Sequence, residues 1–195
     1  MSTDFILDFE TLGYSDSAVL LSVGVLAIPE DLSKSYSLYD LLKNSYYAKI
    51  NREEQIKLKR TIDKETLDWW KRQGEQAKTV INNNNLIDCN DVYTQVLNFI
   101  LNNGFTKEAN IFSRGLIDQR WWQSFCKSLN KTDPLPFWQW RDTRTFLDCM
   151  IHNPNGNIKE LPQNICKHNA VHDCCLDFYR IQDALGFPND DEVPF

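Results

Sequence analysis

Three runs rich in β-branched and aromatic residues, Phe5–Phe9, Leu20–Ile28 and Tyr46–Ile50, stand before any convincing long helix. Strands that follow one another this closely are joined most simply as hairpins, so antiparallel pairing is expected for them. Further along, the period changes. Asn90 reads as the cap of a helix whose stripe is Val92, Val96, Leu97, Ile100 and Leu101, closed by Gly104. After it come a short strand Ala109–Ser113, a helix Ile117–Leu129, a break at Pro134 and Pro136, and a short strand Phe137–Trp140. Helices over Thr143–Ile151 and Ala170–Leu185 complete the chain, the last ended by Gly186 and Pro188. Alternating strands and helices imply parallel strands with crossover connections. The expected fold class is α/β: a mixed five-stranded sheet with helices on both faces.

The intervening segments carry weaker signals. Asp63 caps a helix through Trp70 and Arg72, Gly74 ends it, and a second short helix runs through Val80. Asn82–Asn85 is a loop, and Asn153–Asn164, with Pro154, Gly156 and Pro162, is a loop or lid. No repeat or linker interrupts the 195 residues, so 1–195 reads as one domain with a sizeable core.

The first strand ends in acid. Side chains two apart on a strand share a face, so Asp8 and Glu10 project together while Phe9 turns away. Paired carboxylates repel unless both grip a hard divalent cation, which takes oxygen ligands. Asp-x-Glu recurs at Asp63/Glu65 and Asp190/Glu192, but there it reads as a helix cap with its first turn and as an acidic tail.

Composition sets limits. A hydrophobic fraction of 42% with 25% charged residues is ordinary for a soluble globular chain. No apolar run reaches transmembrane length and no secretory signal is visible, so a cytoplasmic location with reduced thiols is expected. The net charge of −6 argues against a broadly basic nucleic-acid face. Bound divalent cations would nonetheless attract phosphate locally.

Further residues could do chemistry. Asp118 lies near a helix start, where a carboxylate is also favoured simply by the helix dipole. The segment Lys167-His168-Asn169-Ala170-Val171-His172-Asp173 holds two of the three histidines. His168 precedes Asp173 by five residues, and His172 precedes Asp177 by five, so two registers are open for a histidine base beside a carboxylate. A solvated acidic helix face is the plainer reading. Cys166, His168, His172 and Cys174 or Cys175 also permit a zinc reading, although these ligands crowd one helix start. Of the adjacent pairs Trp69/Trp70 and Trp121/Trp122, each is expected to bury one member and leave the other more exposed.

Taken in order, Asp8-Phe9-Glu10-Thr11-Leu12-Gly13, Asp118, and His168-Asn169-Ala170-Val171-His172-Asp173 resemble the three motifs of the DEDDh family of 3′→5′ exonucleases. That family has a ribonuclease H-like fold. Thr66–Lys71, Arg141–Arg144 and His172–Cys174 resemble the branch carried by T-even bacteriophages. The resemblance implies that Asp8, Glu10, Asp118 and Asp173 bind two divalent cations, Mg²⁺ or Mn²⁺, and that His168 is the general base. Ala170 supplies the family's small residue two after the histidine, which favours His168/Asp173 over His172/Asp177. Thr11, Leu12 and Gly13 would receive the 3′-terminal nucleotide. Arg114, which stands where many relatives have another pattern, would contact phosphate or fold back on the protein. Arg141, Arg144 and Lys167 are further phosphate candidates, with surface ion pairing as the alternative.

The function implied is metal-dependent hydrolysis of single-stranded DNA, and also of RNA, from the 3′ end to nucleoside 5′-monophosphates. An exoribonuclease or oligoribonuclease, and a non-catalytic nucleic-acid- or partner-binding module on the same fold, are the rivals. The implied partner is a nucleic-acid 3′ end and not a membrane, the chain being a monomer or homodimer, in host bacterial cytoplasm if phage-encoded.

Overall fold

In a computed structural model that describes residues 2–158 and 164–187, the early strands pair as hairpins and the later ones in parallel. β1 (Phe5–Thr11) runs antiparallel to β2 (Leu20–Ala27), and β2 antiparallel to β3 (Ser45–Ile50). On the other side β1 pairs in parallel with β5 (Ile111–Ser113), and β5 with β6 (Trp140–Asp142). The sheet has six strands, one more than expected, because β4 (Leu86–Ile87) pairs in parallel with β3 at the far edge. A two-residue strand is too short to show a period, so its pairing is a tertiary fact.

Helices cover both faces, as the pattern implied. Phe5, Leu7 and Phe9 of β1 point to the side where α5 (Cys89–Asn102) and α6 (Ile117–Ser128) bury Val92, Val96, Ile100, Trp122 and Phe125. Ile6 points to the opposite side, where α8 (Ala170–Ala184) lays Cys174, Cys175 and Phe178 on the sheet. A third cluster, Leu12, Val19, Leu21, Trp70, Ala77 and Val80, closes the end of the β1–β2 hairpin beneath α3 (Lys64–Lys71) and α4 (Glu75–Lys78). Burial of this size, at about 25 cal/mol per Å² of apolar surface, is the main stabilising term.

Several boundaries differ from the sequence pattern. Two six-residue helices were not foreseen: α1 (Leu38–Lys43) and α2 (Arg52–Lys57). Both rest on their caps, Ser37 accepting from the Asp40 amide and Asn51 from those of Glu53 and Glu54. α5 starts two residues earlier than expected, with Asp88 and not Asn90 at its cap. Phe137–Gln139 is a 3₁₀ turn, and the strand occupies Trp140–Asp142 directly before α7 (Thr143–Ile151). The expected loop Asn153–Asn164 is described only outside 159–163, and Pro188 and the acidic tail lie beyond the described residues.

Two arrangements fix the placement of the functional side chains. Strand β2 carries Gly24 in its middle, where a Cβ would lie 2.4 Å from the Ala170 carbonyl carbon and 2.4 Å from the Val171 nitrogen. Only a bare backbone lets the first turn of α8 approach the sheet so closely. The loop after β1 is held by Arg60, which is 5% exposed. Its Nε and Nη2 donate to the Ala18 carbonyl at 3.0 and 2.6 Å, and Nη2 also donates to the Asp16 carbonyl at 3.3 Å. Burial pushes the Arg60 guanidinium down to about 10, still charged at neutral pH.

Candidate active site

Asp8 and Glu10 leave β1 on the face opposite Phe9, as a period of two requires. β1 pairs with β2 through Glu10↔Ser22, and the register shifts immediately after, between Glu10 and Thr11. The strand thus ends its regular pairing at the second acid. Asp118, 2% exposed, sits in the first turn of α6, and its Oδ1 accepts from the Phe9 amide at 3.0 Å. This bond threads the β1 backbone between two of its own acids to a residue 109 positions away.

The turn that delivers Asp118 is strained. Gly115 has φ 92° and Leu116 φ 37°, a left-handed conformation that is costly for leucine. Asp142 supports it: its Oδ1 accepts from the Gly115 amide at 2.9 Å and from the Arg144 amide at 3.0 Å, so one carboxylate caps α7 and pins the turn.

At the start of α8, His168 also adopts a left-handed backbone, φ 63°. Its amide donates to Asp173 Oδ2 at 2.9 Å. Asn169 caps the helix, its side chain accepting from the His172 amide at 3.4 Å. The turn folds His168 back over the helix entrance, and ligand atoms of Glu10, His168 and Asp173 then all lie within 4.8 Å of one another. The His168 ring stands edge-on to Trp69, with centroids 4.8 Å apart, and to Trp70 at 6.0 Å. Trp70 is buried and donates from Nε1 to the Thr11 carbonyl at 2.8 Å, so the indole pair bridges the first and third motifs.

The electrostatics are those of uncompensated negative charge. Burial, then the charges of Asp118, Glu10, Asp173 and Asp177, push the Asp8 carboxyl well above the carboxylate range. Burial and the neighbouring Asp173 do the same to Glu10. Burial raises Asp118 to about 7 against the opposing hydrogen bond from Phe9, and raises Asp173 to about 6 against hydrogen bonds from Glu10 and His168. Burial, with Lys167 nearby, lowers His168 below the usual imidazole value, so it is neutral at pH 7. Carboxylates that hold protons this tightly are a donor set short of cations, and hard divalent ions fit it.

The remaining sequence candidates fall in different places. Asp177 is not open: it is 4% exposed and pairs with Arg114 at 3.0 Å and Arg180 at 2.6 Å. His172 Nδ1 accepts from the Cys166 amide at 3.0 Å. Arg114 folds back, as one of the two expectations had it, with Nη2 donating to Asn155 Oδ1 at 3.1 Å. Arg144 is exposed near Gly115, and its charge acts on Asp118. Arg141 turns Nη1 onto the carbonyls of Trp138 and Trp140. Thr11 and Leu12 are buried, Thr11 Oγ1 donating to the Gly13 carbonyl at 2.8 Å. A Cβ on Gly13 would lie 3.2 Å from that of Asp63.

Two expectations are corrected. The zinc cluster does not assemble, since Cys174 and Cys175 are buried in the core against the sheet and Cys174 Sγ faces the Gly24 carbonyl. Trp121 and Trp122 are both buried, because α6 is enclosed by the sheet on one side and the Ser15 carbonyl takes the Trp121 Nε1 proton at 2.9 Å on the other. The Trp69/Trp70 pair does split into a partly exposed and a buried member. Sequence reasoning missed Gly24, Asp142 and the indole contact to His168. A glycine inside an apolar strand signals close backbone approach and could have found the first; nothing local signals the others.

Known proteins are similar to this chain in sequence and fold. A family model described as 3′-5′ exoribonuclease Rv2179c-like domain matches residues 3–178. An exodeoxyribonuclease of Enterobacteria phage T4 is 23% identical over 215 residues, covering 94% of this chain and 89% of the phage protein. Cell-death related nuclease 4 (CRN-4) superposes with a TM-score of 0.60 at 18% identity, over 95% of this chain and 64% of that one. The nuclease domain of 3′hExo, a DEDDh family member bound to rAMP, superposes with a TM-score of 0.56 at 12% identity, over 95% of this chain and 92% of that one. No helix among the described residues is long and apolar enough to cross a membrane. The chain belongs to the Rv2179c-like 3′-5′ exoribonuclease family and is a 3′–5′ exonuclease on the ribonuclease H-like fold of the DEDDh enzymes.

Proposed function

We propose that the chain hydrolyses single-stranded DNA from the 3′ end to nucleoside 5′-monophosphates, with RNA as a second substrate. The observation that carries this is the convergence of Glu10, His168 and Asp173 within 4.8 Å beside the partly buried Asp8 and the buried Asp118. Asp8, Glu10, Asp118 and Asp173 would hold two divalent cations, Mg²⁺ or Mn²⁺. When bound, such ions supply Lewis-acid stabilisation of the phosphate oxygens and lower the pKa of the attacking water.

The protein's own groups then have separate tasks. His168 is neutral at pH 7 and can accept the proton of the attacking water. Its left-handed backbone and the two indoles hold the ring at the mouth of the acid cluster. Asp173 fixes the His168 amide and so couples the base to the carboxylate set. His168/Asp173 is favoured over His172/Asp177 because Asp177 is already neutralised by two guanidinium groups. The backbone of Thr11, Leu12 and Gly13 would receive the terminal nucleotide, and exposed Arg144 would contact phosphate. Arg114 supports the site through Asp177 and not by touching substrate.

DNA is placed first because the curated relative over nearly the full length is named an exodeoxyribonuclease. The exoribonuclease reading is kept because the family description names it. The deciding experiment follows 5′-labelled single-stranded DNA and matched RNA with Mg²⁺, Mn²⁺ or EDTA. A metal-dependent ladder shortening from the 3′ end, faster on DNA, is expected. Faster loss of RNA reverses the substrate order, and no degradation of either removes the reading.

A further inference from the structure

A cavity of about 470 Å³, within the size range of small-molecule sites, is lined in part by Leu12 of the first motif and Leu67 of α3. Besides polar and charged groups, its lining is aliphatic: Leu12, Ile56, Ile62, Leu67 and Leu86. Leu12 lies two residues after Glu10, so the cavity borders the first motif directly. The sheet register gives its direction. Glu10 pairs with Ser22, Ser22 with Lys49, and Lys49 with Leu86, so these four side chains form one transverse row on one face. Three strand spacings of about 4.8 Å put Leu86 about 14 Å from Glu10. That is the length of about four stacked nucleotides at 3.4 Å each, and fewer in an extended strand.

The cations here are unusual in an acidic chain. Arg52, at the cavity, donates to the side chain of Asn83. Lys49, 9% exposed, donates to the Thr79 carbonyl at 2.8 Å and to the side chain of Asn82. Neither makes an ion pair among the described residues. Glu53 also lines the cavity; it is exposed and acts on Arg52 through space, so the carboxylate partly offsets the guanidinium there. Burial lowers the proton affinity of both cations, and Arg52 adds to the effect on Lys49. Desolvated positive charge held by neutral amides and a carbonyl is a receptor for an anion.

We propose that this cavity is a subsite for an upstream nucleotide of the same strand whose 3′ end lies at the carboxylates, its base against the aliphatic walls and its phosphate on Arg52. The proposal rests on the exonuclease reading. It makes efficient hydrolysis depend on strand length: a substrate too short to reach Arg52 forgoes the contact.

The test compares the p-nitrophenyl ester of thymidine 5′-monophosphate, which fills only the terminal position, with 5′-labelled DNA strands of increasing length. Arg52→Gln removes the charge. Ile56→Glu adds a repelling charge at a residue 51% exposed, where folding tolerates it, and Ile56→Gln is its neutral control. For the longer strands kcat/KM should fall about tenfold in Arg52→Gln and Ile56→Glu, with the salt-dependence slope of binding reduced by about one in Arg52→Gln. Ile56→Gln should lose clearly less than Ile56→Glu on long strands, and ester hydrolysis should be unchanged in all three. Equal losses on ester and long strands, or no loss on long strands, would overturn the subsite while wild-type activity upholds the exonuclease reading. Wild type that cleaves neither substrate overturns both.

Discussion

Gly24 and Ala170 touch through their backbones: a Cβ on Gly24 would meet the Ala170 carbonyl carbon at 2.4 Å. The contact seats the first turn of α8, and with it Asp173, over β1 and β2. Gly24→Ala must therefore push the helix away from the sheet. Overpacking of this kind costs about 1–3 kcal/mol. The melting temperature should fall by several degrees and activity should fall further than the stability loss explains, because the acid cluster opens. Thermal melts beside exonuclease rates on the folded fraction check this. An alanine variant with unchanged rate would mean that α8 has slack the contact distance denies.

The acid cluster sets a pH dependence for the metal-free protein. Asp118 is raised to about 7 and Asp173 to about 6, against about 3.8 in an unfolded chain. Between those values the folded state binds protons that the unfolded state has released, so stability falls as pH rises. In EDTA, Tm should drop by about 10 °C from pH 5 to pH 7.5, the two shifts amounting to about 4 kcal/mol at about 2–4 °C per kcal/mol for a chain of this size. Mn²⁺ should restore it at the upper pH, and Asp118→Asn should flatten the profile.

Neutralising Asp8 should separate stability from activity. Asp8→Asn removes a carboxyl that the metal-free fold must keep protonated, because desolvation and then Asp118, Glu10 and Asp173 oppose its ionisation. It should raise Tm in EDTA and lower the exonuclease rate by about 10³-fold or more, the loss expected when an electrostatic group of the reaction is deleted. Melting curves and single-turnover rates on one preparation test both halves.

His168→Gln should leave metal-induced stabilisation largely intact and reduce kcat by about 10²–10⁴-fold, the range for a general base. The pH–rate profile should lose its lower limb in the variant. Trp69→Ala, which removes the ring 4.8 Å from the imidazole, should reduce kcat more modestly and shift that limb, since it alters the base's surroundings and not its identity.

Arg60→Met should destabilise the protein by about 2–3 kcal/mol. It leaves the Ala18 carbonyl without its charged donor at a buried position. Denaturant titration should show an unchanged m-value with a lower midpoint.

The shared strand face of Asp8 and Glu10 was legible because a strand's period of two is strictly local. The His168/Asp173 register was preferred through the family resemblance alone; the small residue at 170 on which that rested sits where the helix meets Gly24. Residues whose role depends on a distant partner were not legible. Arg114 meets Asp177 across 63 positions, and nothing near either announces the other. Asp142 pins Gly115 across 27 positions from what reads as an ordinary helix cap. The short helices α1 and α2 escaped because six residues hold less than two turns, too few to show an apolar stripe. β4 escaped because its partner, not its composition, makes it a strand.

The acids reach the site from three separated stretches, ending at Asp173 near the chain's C-terminal end. Asp118 and Asp173 stand 110 and 165 residues after Asp8, so no single stretch holds the whole donor set. Local opening of α8 takes His168 and Asp173 away from Asp8 and Glu10 together, so the site can be lost while the sheet stays folded.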